Sequence, residues 1–468
     1  MTIIVYHSEI IITNTVNHMN SLTQNRHSRF FSVAAHLFFA LTIILLPIRW
    51  RITLLPRPNP PVFGDYTDFL LFAPDISMLV TLIFWGFSFF FHRRKILFGR
   101  AHVWVSLLGL TLAGWVSLVG SWDAPLTFYH AIRLSVLFIF FLFIVNEIHS
   151  PAWVVIPVGL QVLIQSVIAI GQSLSQRDLG LQFLGEYELN PIWQGVSVLE
   201  AGDTRFLRAY GLSDHPNILG GCLAFGLVIL LSAFIYKKEL VWRWLIALAI
   251  IPASLALLLT FSRSAWIAFF VGSLLLVGVE AIKRNVNVMK RVASLALVCL
   301  LAASPFIYRD LPYLSGRLNV GNSFAENRVE NGSIIERAYL FDSANRIFVD
   351  HALTGVGLGA SAVVLQRAYP VFPFNYQPPH FTLLDAAFET GMFGATFYFL
   401  LLTSPIIIFF MRWSHFIHKP EIIAGFALLL AIAVVGLFDY YTWLLVPGRL
   451  WHWSAWGLWS AALTRYEL

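Results

Sequence analysis

Apolar runs of about 20 residues, the length a helix needs to cross a bilayer, recur along almost the whole of this chain. They centre on 31–49, 71–91, 102–120, 129–146, 152–171, 216–236, 241–260, 264–282, 292–308, 382–411, 421–439 and 446–464. The third, fourth and twelfth are diluted by Trp, Ser and charge. Only 12% of residues are charged, against about 25% in soluble domains, and mean hydropathy is +0.73. The expected fold class is therefore an all-α polytopic membrane protein of about twelve transmembrane helices. The net charge of +6 is ordinary for such a chain, and no long basic run points to nucleic acid. Cys222 and Cys299 lie in apolar runs, which argues against a disulfide framework.

Short loops set the orientation. His92-Arg-Arg-Lys95 with Arg100, Lys237-Lys238, Lys283-Arg284 with Lys290-Arg291, and Arg412 with Lys419 fall in one alternating set. By the positive-inside rule these loops are cytoplasmic, and so are both termini. Residues 50–70, 121–128, 172–215, 261–263 and 309–381 then face outward. Residues 1–30 read as a cytoplasmic extension without the order of a signal peptide, with Met19 as a second candidate start. Residues 31–468 read as one membrane domain. Pro56, Pro58, Pro60 and Pro61 make a stiff external connection.

Three polar islands fall on the expected outer face. The first is Arg208-Ala-Tyr-Gly-Leu-Ser-Asp-His-Pro-Asn217. Asp214 or Ser213 is placed to cap the following helix, with Pro216 in its first turn. A helix start attracts anions, and Arg208, His215 and Asn217 stand ready to complete a phosphate site. The alternative is an ordinary capped helix entry with a snorkelling Arg. The second island is Phe261-Ser-Arg-Ser264, between two apolar runs. Arg263 there is placed to grip a lipid-linked phosphate through its planar fork, with Ser262 or Ser264 as cap. The plain reading is a headgroup anchor.

The third island is the loop 309–381, with Arg317, Arg328, Arg337, Arg346 and Arg367. Ile334, Ala338, Phe341, Asn345 and Phe348 recur at helical spacing, which predicts an amphipathic helix lying on the membrane surface or packed over the bundle. The glycines of Thr354-Gly-Val-Gly-Leu-Gly359 follow no strand, so they read as a flexible turn rather than a dinucleotide motif. Tyr376-Gln-Pro-Pro-His380 then enters a span, and an imidazole at that position suits proton transfer. Asp385, Glu389 and Asp439 are acids at or in spans, a functional signal by default. Glu389 lies nine residues past His380, off its helical face, so it is expected to neutralise an arginine of another span. No metal-ligand cluster, P-loop or Ser-hydrolase motif is present, and no cofactor is called for.

Taken in order, Arg208-x-x-Gly211 with His215-Pro-Asn217, Ser262-Arg-Ser264, Arg337, Leu353-Thr-Gly-Val-Gly-Leu-Gly359, His380 and Glu389-Thr-Gly-Met-Phe-Gly394 resemble the O-antigen ligase and polymerase superfamily. That superfamily includes lipopolysaccharide O-antigen ligases and bacterial protein O-oligosaccharyltransferases. The resemblance covers about 205–400. It implies a GT-C-like, metal-independent glycosyltransferase of the bacterial inner membrane. It implies an undecaprenyl-pyrophosphate-linked glycan as donor and a sugar or protein hydroxyl as acceptor. Arg263, Arg337 and His380 take the catalytic positions. Arg208, His215, Asn217, Ser262, Ser264 and Glu389 are the substrate-binding candidates. The chain departs from the family at Phe381, where Asn often follows the His, and at Phe341, where Trp is frequent. The rival reading is a transporter or flippase of polyisoprenoid-linked glycans, which should place its charges at mid-membrane. Here the arginines gather at one face.

Overall fold

The computed structural model describes residues 28–91, 93–201, 204–318 and 328–466. Residues 1–27, with most of the expected extension and Met19, lie outside them, as do His92 of the first basic loop and 319–327 of the polar loop. The helices are α1 (Ser28–Leu45), α2 (Ala73–Phe91), α3 (Ala101–Val116), α4 (Ala124–Glu147), α5 (Ala152–Ser175), α6 (Pro216–Tyr236), α7 (Leu240–Leu259), α8 (Arg263–Ile282) and α9 (Val286–Arg309). They continue as α10 (Leu311–Leu318), α11 (Arg328–Asp350), α12 (Ser361–Ala368), α13 (Thr382–Met411), α14 (Trp413–Phe416), α15 (Pro420–Gly436) and α16 (Val446–Tyr466).

Each of the twelve apolar runs coincides with one helix, and the chain is a multi-pass, all-α membrane protein. A helix satisfies its backbone within itself, which is what a segment in lipid requires. Among the described residues nine helices are both long and apolar enough to span. The runs at α3 and α15 are shorter, at 16 and 17 residues. The twelfth run, α16, owes its dilution to Arg449, His452, Ser454 and Ser460, all of which are buried. Polar groups are tolerated there because the helix faces other helices rather than lipid.

Burial orders the bundle. In its most apolar window α6 is 89% buried and α9 only 11%, so α6 sits at the centre and α9 at the rim. The central helix packs on α5, α7, α8, α15 and α16. A helix apolar on all sides belongs in such a position.

Two short hairpins, absent from the sequence-based expectation, sit among the connections. The strand β1 (Arg51–Leu55) pairs antiparallel with β2 (Phe69–Phe72), and β3 (Val198–Ala201) with β4 (Thr204–Leu207). Arg51 of β1 and Arg49 before it both bind Asp214, at 3.0 and 2.8 Å. Asp214 therefore does not cap α6. The cap is His215, whose side chain accepts from the Asn217 N–H.

The polar loop 309–381 carries three helices, α10, α11 and α12, rather than one. The expected helix exists, but its buried face differs. Leu340, Ser343, Ala344 and Ile347 turn inward, whereas Ile334, Phe341 and Asn345 of the expected stripe are exposed. The apolar stripe seen in sequence is thus the outer face. The inner face is narrower, because it packs on α12 and α13 and includes small residues.

The glycine segment is likewise no flexible turn. Val356, Leu358 and Ala360 are fully buried or nearly so. The Val356 and Gly357 N–H groups donate to the carbonyls of Phe388 and Glu389 on α13, at 2.9 and 3.0 Å. There α13 kinks at Gly391, whose φ is +68°. A Cβ on Gly391 would stand 2.3 Å from the Leu353 carbonyl, and one on Gly355 would stand 2.4 Å from the Glu389 carbonyl. Only glycine permits both the dihedral and this backbone-to-backbone approach. The segment is a wedge seated against the kink, and it ties α11 to the span that His380 precedes.

Candidate active site

One end of the bundle collects the polar islands. Arg208 is buried, and its guanidinium donates to the Thr260 carbonyl, Ser197 Oγ and Asn217 Oδ1 at 2.8, 2.9 and 2.6 Å. It clasps the α7–α8 turn to the start of α6. Asn217 then donates from Nδ2 to Asp439 Oδ2 at 3.1 Å. The chain of bonds Thr260–Arg208–Asn217–Asp439 thus spans three connections that are distant in sequence.

Asp439 leads to the histidine. It acts electrostatically on His380, as does Arg337 of α11. His380 stacks edge-on against Tyr440, with ring centroids 4.9 Å apart. Tyr440 and Tyr66 share a hydroxyl–hydroxyl bond of 2.5 Å. The His380 ring has no hydrogen-bond partner among the described residues, and its Nδ1 is shut off from water. Burial pushes its pKa down to about 4, against the pull of Asp439 and with help from the Arg337 charge. The ring is neutral at pH 7.

His215 is the second imidazole of the site. Its Nδ1 accepts from the Asn217 N–H at 3.1 Å. A backbone N–H can only donate, so the neutral ring carries its proton on Nε2. Burial first, then the charges of Arg208, Arg337 and Arg317, hold its pKa well below the usual histidine range. The two rings therefore differ in role: His215 is a fixed donor, while His380 is uncommitted.

The second island supplies the turn before α8. Ser262 and Ser264 are buried with their hydroxyls 3.4 Å apart, and neither forms a side-chain cap. Arg263 opens the helix, partly exposed. Arg317 of α10 donates to the Phe261 carbonyl at 2.9 Å, which brings a further guanidinium to this turn. Arg317 stood among six arginines of 309–381 in the sequence, with nothing to single it out. Tyr66 had no signal at all, because it lies on the first hairpin loop, remote in sequence from Tyr440.

Glu389 stands apart from this constellation. It is fully buried in α13, accepts from Ser361 Oγ at 2.7 Å and from Trp443 Nε1 at 2.8 Å, and forms no ion pair among the described residues. The arginine of another span that acts on it electrostatically is Arg449 of α16, while its hydrogen bonds go to a hydroxyl and an indole. The same Ser361 hydroxyl lies 2.8 Å from Asp385 Oδ1. This cluster holds α12, α13 and the Trp443 segment together. Phe341 and Phe381, the two departures from the family pattern, are neighbours with ring centroids 6.3 Å apart. Among the described residues no three His, Cys, Asp or Glu side chains converge as a metal-ligand set.

The fold and the site define a polytopic membrane protein with Arg208, His215, Arg263, Arg317, Arg337 and His380 gathered at one end of the bundle. Residues 248–399, roughly a third of the chain, match the family model of the O-antigen ligases. That stretch carries an O-antigen ligase domain and supports the resemblance to the O-antigen ligase and polymerase superfamily. The match takes in Arg263, Arg317, Arg337, His380 and Glu389. Arg208, His215, Asn217, Asp439 and Tyr440 lie beyond it. No curated protein matches the chain.

Proposed function

We propose that the protein transfers a glycan from an undecaprenyl-pyrophosphate donor to a hydroxyl on a sugar or protein, at the outer face of the bacterial inner membrane. The single observation that carries the reading is the neutral, unpartnered His380 ring beside the cationic Arg337. In this reading the acceptor O–H gives its proton to His380. The acceptor oxygen attacks the anomeric carbon, and the bond from that carbon to the pyrophosphate oxygen breaks. Negative charge grows on the leaving pyrophosphate, and Arg263, Arg317 and Arg337 offset it without needing a metal. His215 Nε2–H adds a neutral donor. Arg208, consumed by Thr260, Ser197 and Asn217, positions Asn217 and Asp439. Ser262 and Ser264 line the approach to Arg263.

A transporter of the same lipid-linked glycans is the rival. Purified protein in nanodiscs, given a polyprenyl-pyrophosphate glycan and a hydroxyl acceptor, separates the two. Transfer predicts a new glycosidic product and free polyprenyl pyrophosphate, with EDTA making no difference. Movement of intact donor across liposomes with no bond cleavage would replace this reading with the transporter. Reporter fusions fix the face: activity outside the cytoplasm after residue 345 and inside after residue 287 is expected, and the reverse excludes an outer-face site.

A further inference from the structure

A second cationic site lies on the far side of Tyr66, and the candidate transfer chemistry does not use it. Arg449, in the first turn of α16, is only 4% exposed. Its guanidinium makes no hydrogen bond, ion pair or ring contact among the described residues. It lines a polar chamber of about 60 Å³ together with Tyr66, Tyr129, His130 and Arg133. His130 Nδ1 is also buried without a partner.

The acids near Arg449 act on it electrostatically, but among the described residues neither is bonded to it. The charges around it are Arg133, Asp75 and Glu389, with Tyr129 beside them. Asp75 is held by Arg133 at 2.6 Å, and Glu389 is held by Ser361 and Trp443. The acids at the other end of the chamber are also engaged. Arg51 binds Asp65 and Asp214, and Asp68 accepts from the Arg57 N–H. A guanidinium buried this far into a membrane protein without a partner is costly, which calls for an anion from outside the chain.

The neighbouring space says what carries that anion. Tyr129, Arg133 and Arg449 also wall a second cavity of about 230 Å³. Its remaining lining, apart from Asp75, is Leu, Met, Ile and Val from β1, β2, α2, α4 and α16. Polar chamber and apolar cavity thus share Arg449, a cation without a bonded partner among the described residues. We propose that Arg449 binds a lipid phosphate here, with the phosphate in the polar chamber and the attached hydrocarbon chain in the apolar cavity. Arg133 and the Tyr129 hydroxyl flank the phosphate.

The test uses full-length protein in detergent, stripped of lipid and titrated with phosphatidylglycerol, a polyprenyl monophosphate, inorganic phosphate and diacylglycerol. Native mass spectrometry reads occupancy, and thermal unfolding reads stabilisation. One phosphate-bearing lipid should bind per chain and raise the midpoint, and the tighter of the two identifies its source. Arg449→Gln should weaken it by about tenfold or more, the loss of a charge-assisted hydrogen bond. Leu79→Trp fills the apolar cavity without touching Arg449 and should displace lipid but not a small anion. Equal binding to wild type and Arg449→Gln overturns the proposal. So does binding of inorganic phosphate as tight as that of either lipid. Absence of bound lipid, with Arg449→Leu more stable than wild type, also overturns it, since Arg449 would then be only a buried charge.

Discussion

The start and the middle of α13 carry polar clusters of opposite design. Before its first turn, His380 leaves its ring unpartnered among arginines and aromatic rings. Two turns further on, Glu389 is enclosed by Ser361 and Trp443, and its cluster sits against the glycine wedge. Buried polar groups are normally satisfied. A satisfied cluster holds elements together, and an unsatisfied one is available to something that binds. Asp385 Oδ2 beside Glu389 is itself unsatisfied, so the contrast holds between the Glu389 carboxylate, which we read as structural, and the His380 ring, which we read as chemical; both lie within one family-matched stretch.

The contrast breaks most decisively at His380. General-base assistance is typically worth about 10²–10⁴-fold, so His380→Ala should lower turnover by that order while donor binding, which rests on the arginines, stays near normal. Turnover and donor affinity measured in the same nanodisc preparation decide it. Near-normal turnover removes His380 from the chemistry, and lost binding alone makes it a positioning residue.

Arg263 comes next. Its removal takes away one charge-stabilising donor, a loss of about 10²-fold in kcat at such sites. Arg263→Lys should recover only part of this, because the ammonium lacks the planar fork. Full activity in a correctly inserted Arg263→Ala protein would break the phosphate clamp.

The structural side of the comparison predicts the reverse pattern. Ser361→Ala strips the hydroxyl from two buried acids and should cost about 1–3 kcal/mol of stability, read as a lower unfolding midpoint. The transfer rate per folded molecule should hold. A large rate loss at unchanged stability would place Glu389 in the chemistry after all.

The smallest expected effect is in the pH profile. An ordinary imidazole protonates near 6.5, whereas His380 does so at about 4. Base-dependent transfer should therefore keep its plateau as pH falls through 6.5 and decline only towards 4. Between those values the unfolded chain takes up a proton that the folded chain refuses. The stability contribution of His380 is thus present above 6.5 and is lost as pH falls towards 4. A midpoint near 6.5 for transfer would mean the ring is solvated in the working enzyme.

Much of this molecule was determined by sequence alone. Nine of the described helices are long and apolar enough to cross a membrane and the other three runs are apolar enough to read as helices, so all twelve were legible without any knowledge of their neighbours. The islands around Arg208, Arg263 and His380 were legible as interruptions of that pattern. Tertiary structure decided everything that depends on which faces meet. The apolar stripe through Ile334 and Phe341 proved to be the outer face of α11, because packing on α12 and α13 selected the stripe through Leu340 and Ile347. Arg208 had the look of a free phosphate ligand until Thr260, Ser197 and Asn217 were seen to occupy it. Tyr66 and Tyr440, 374 residues apart, meet only in the folded bundle. Arg449, one diluting charge in an apolar run, acquired meaning only when the helices around it left it buried and unpaired. Length and hydropathy are local properties of a chain. The partners of a buried polar group are set by elements that lie as far as 374 residues away.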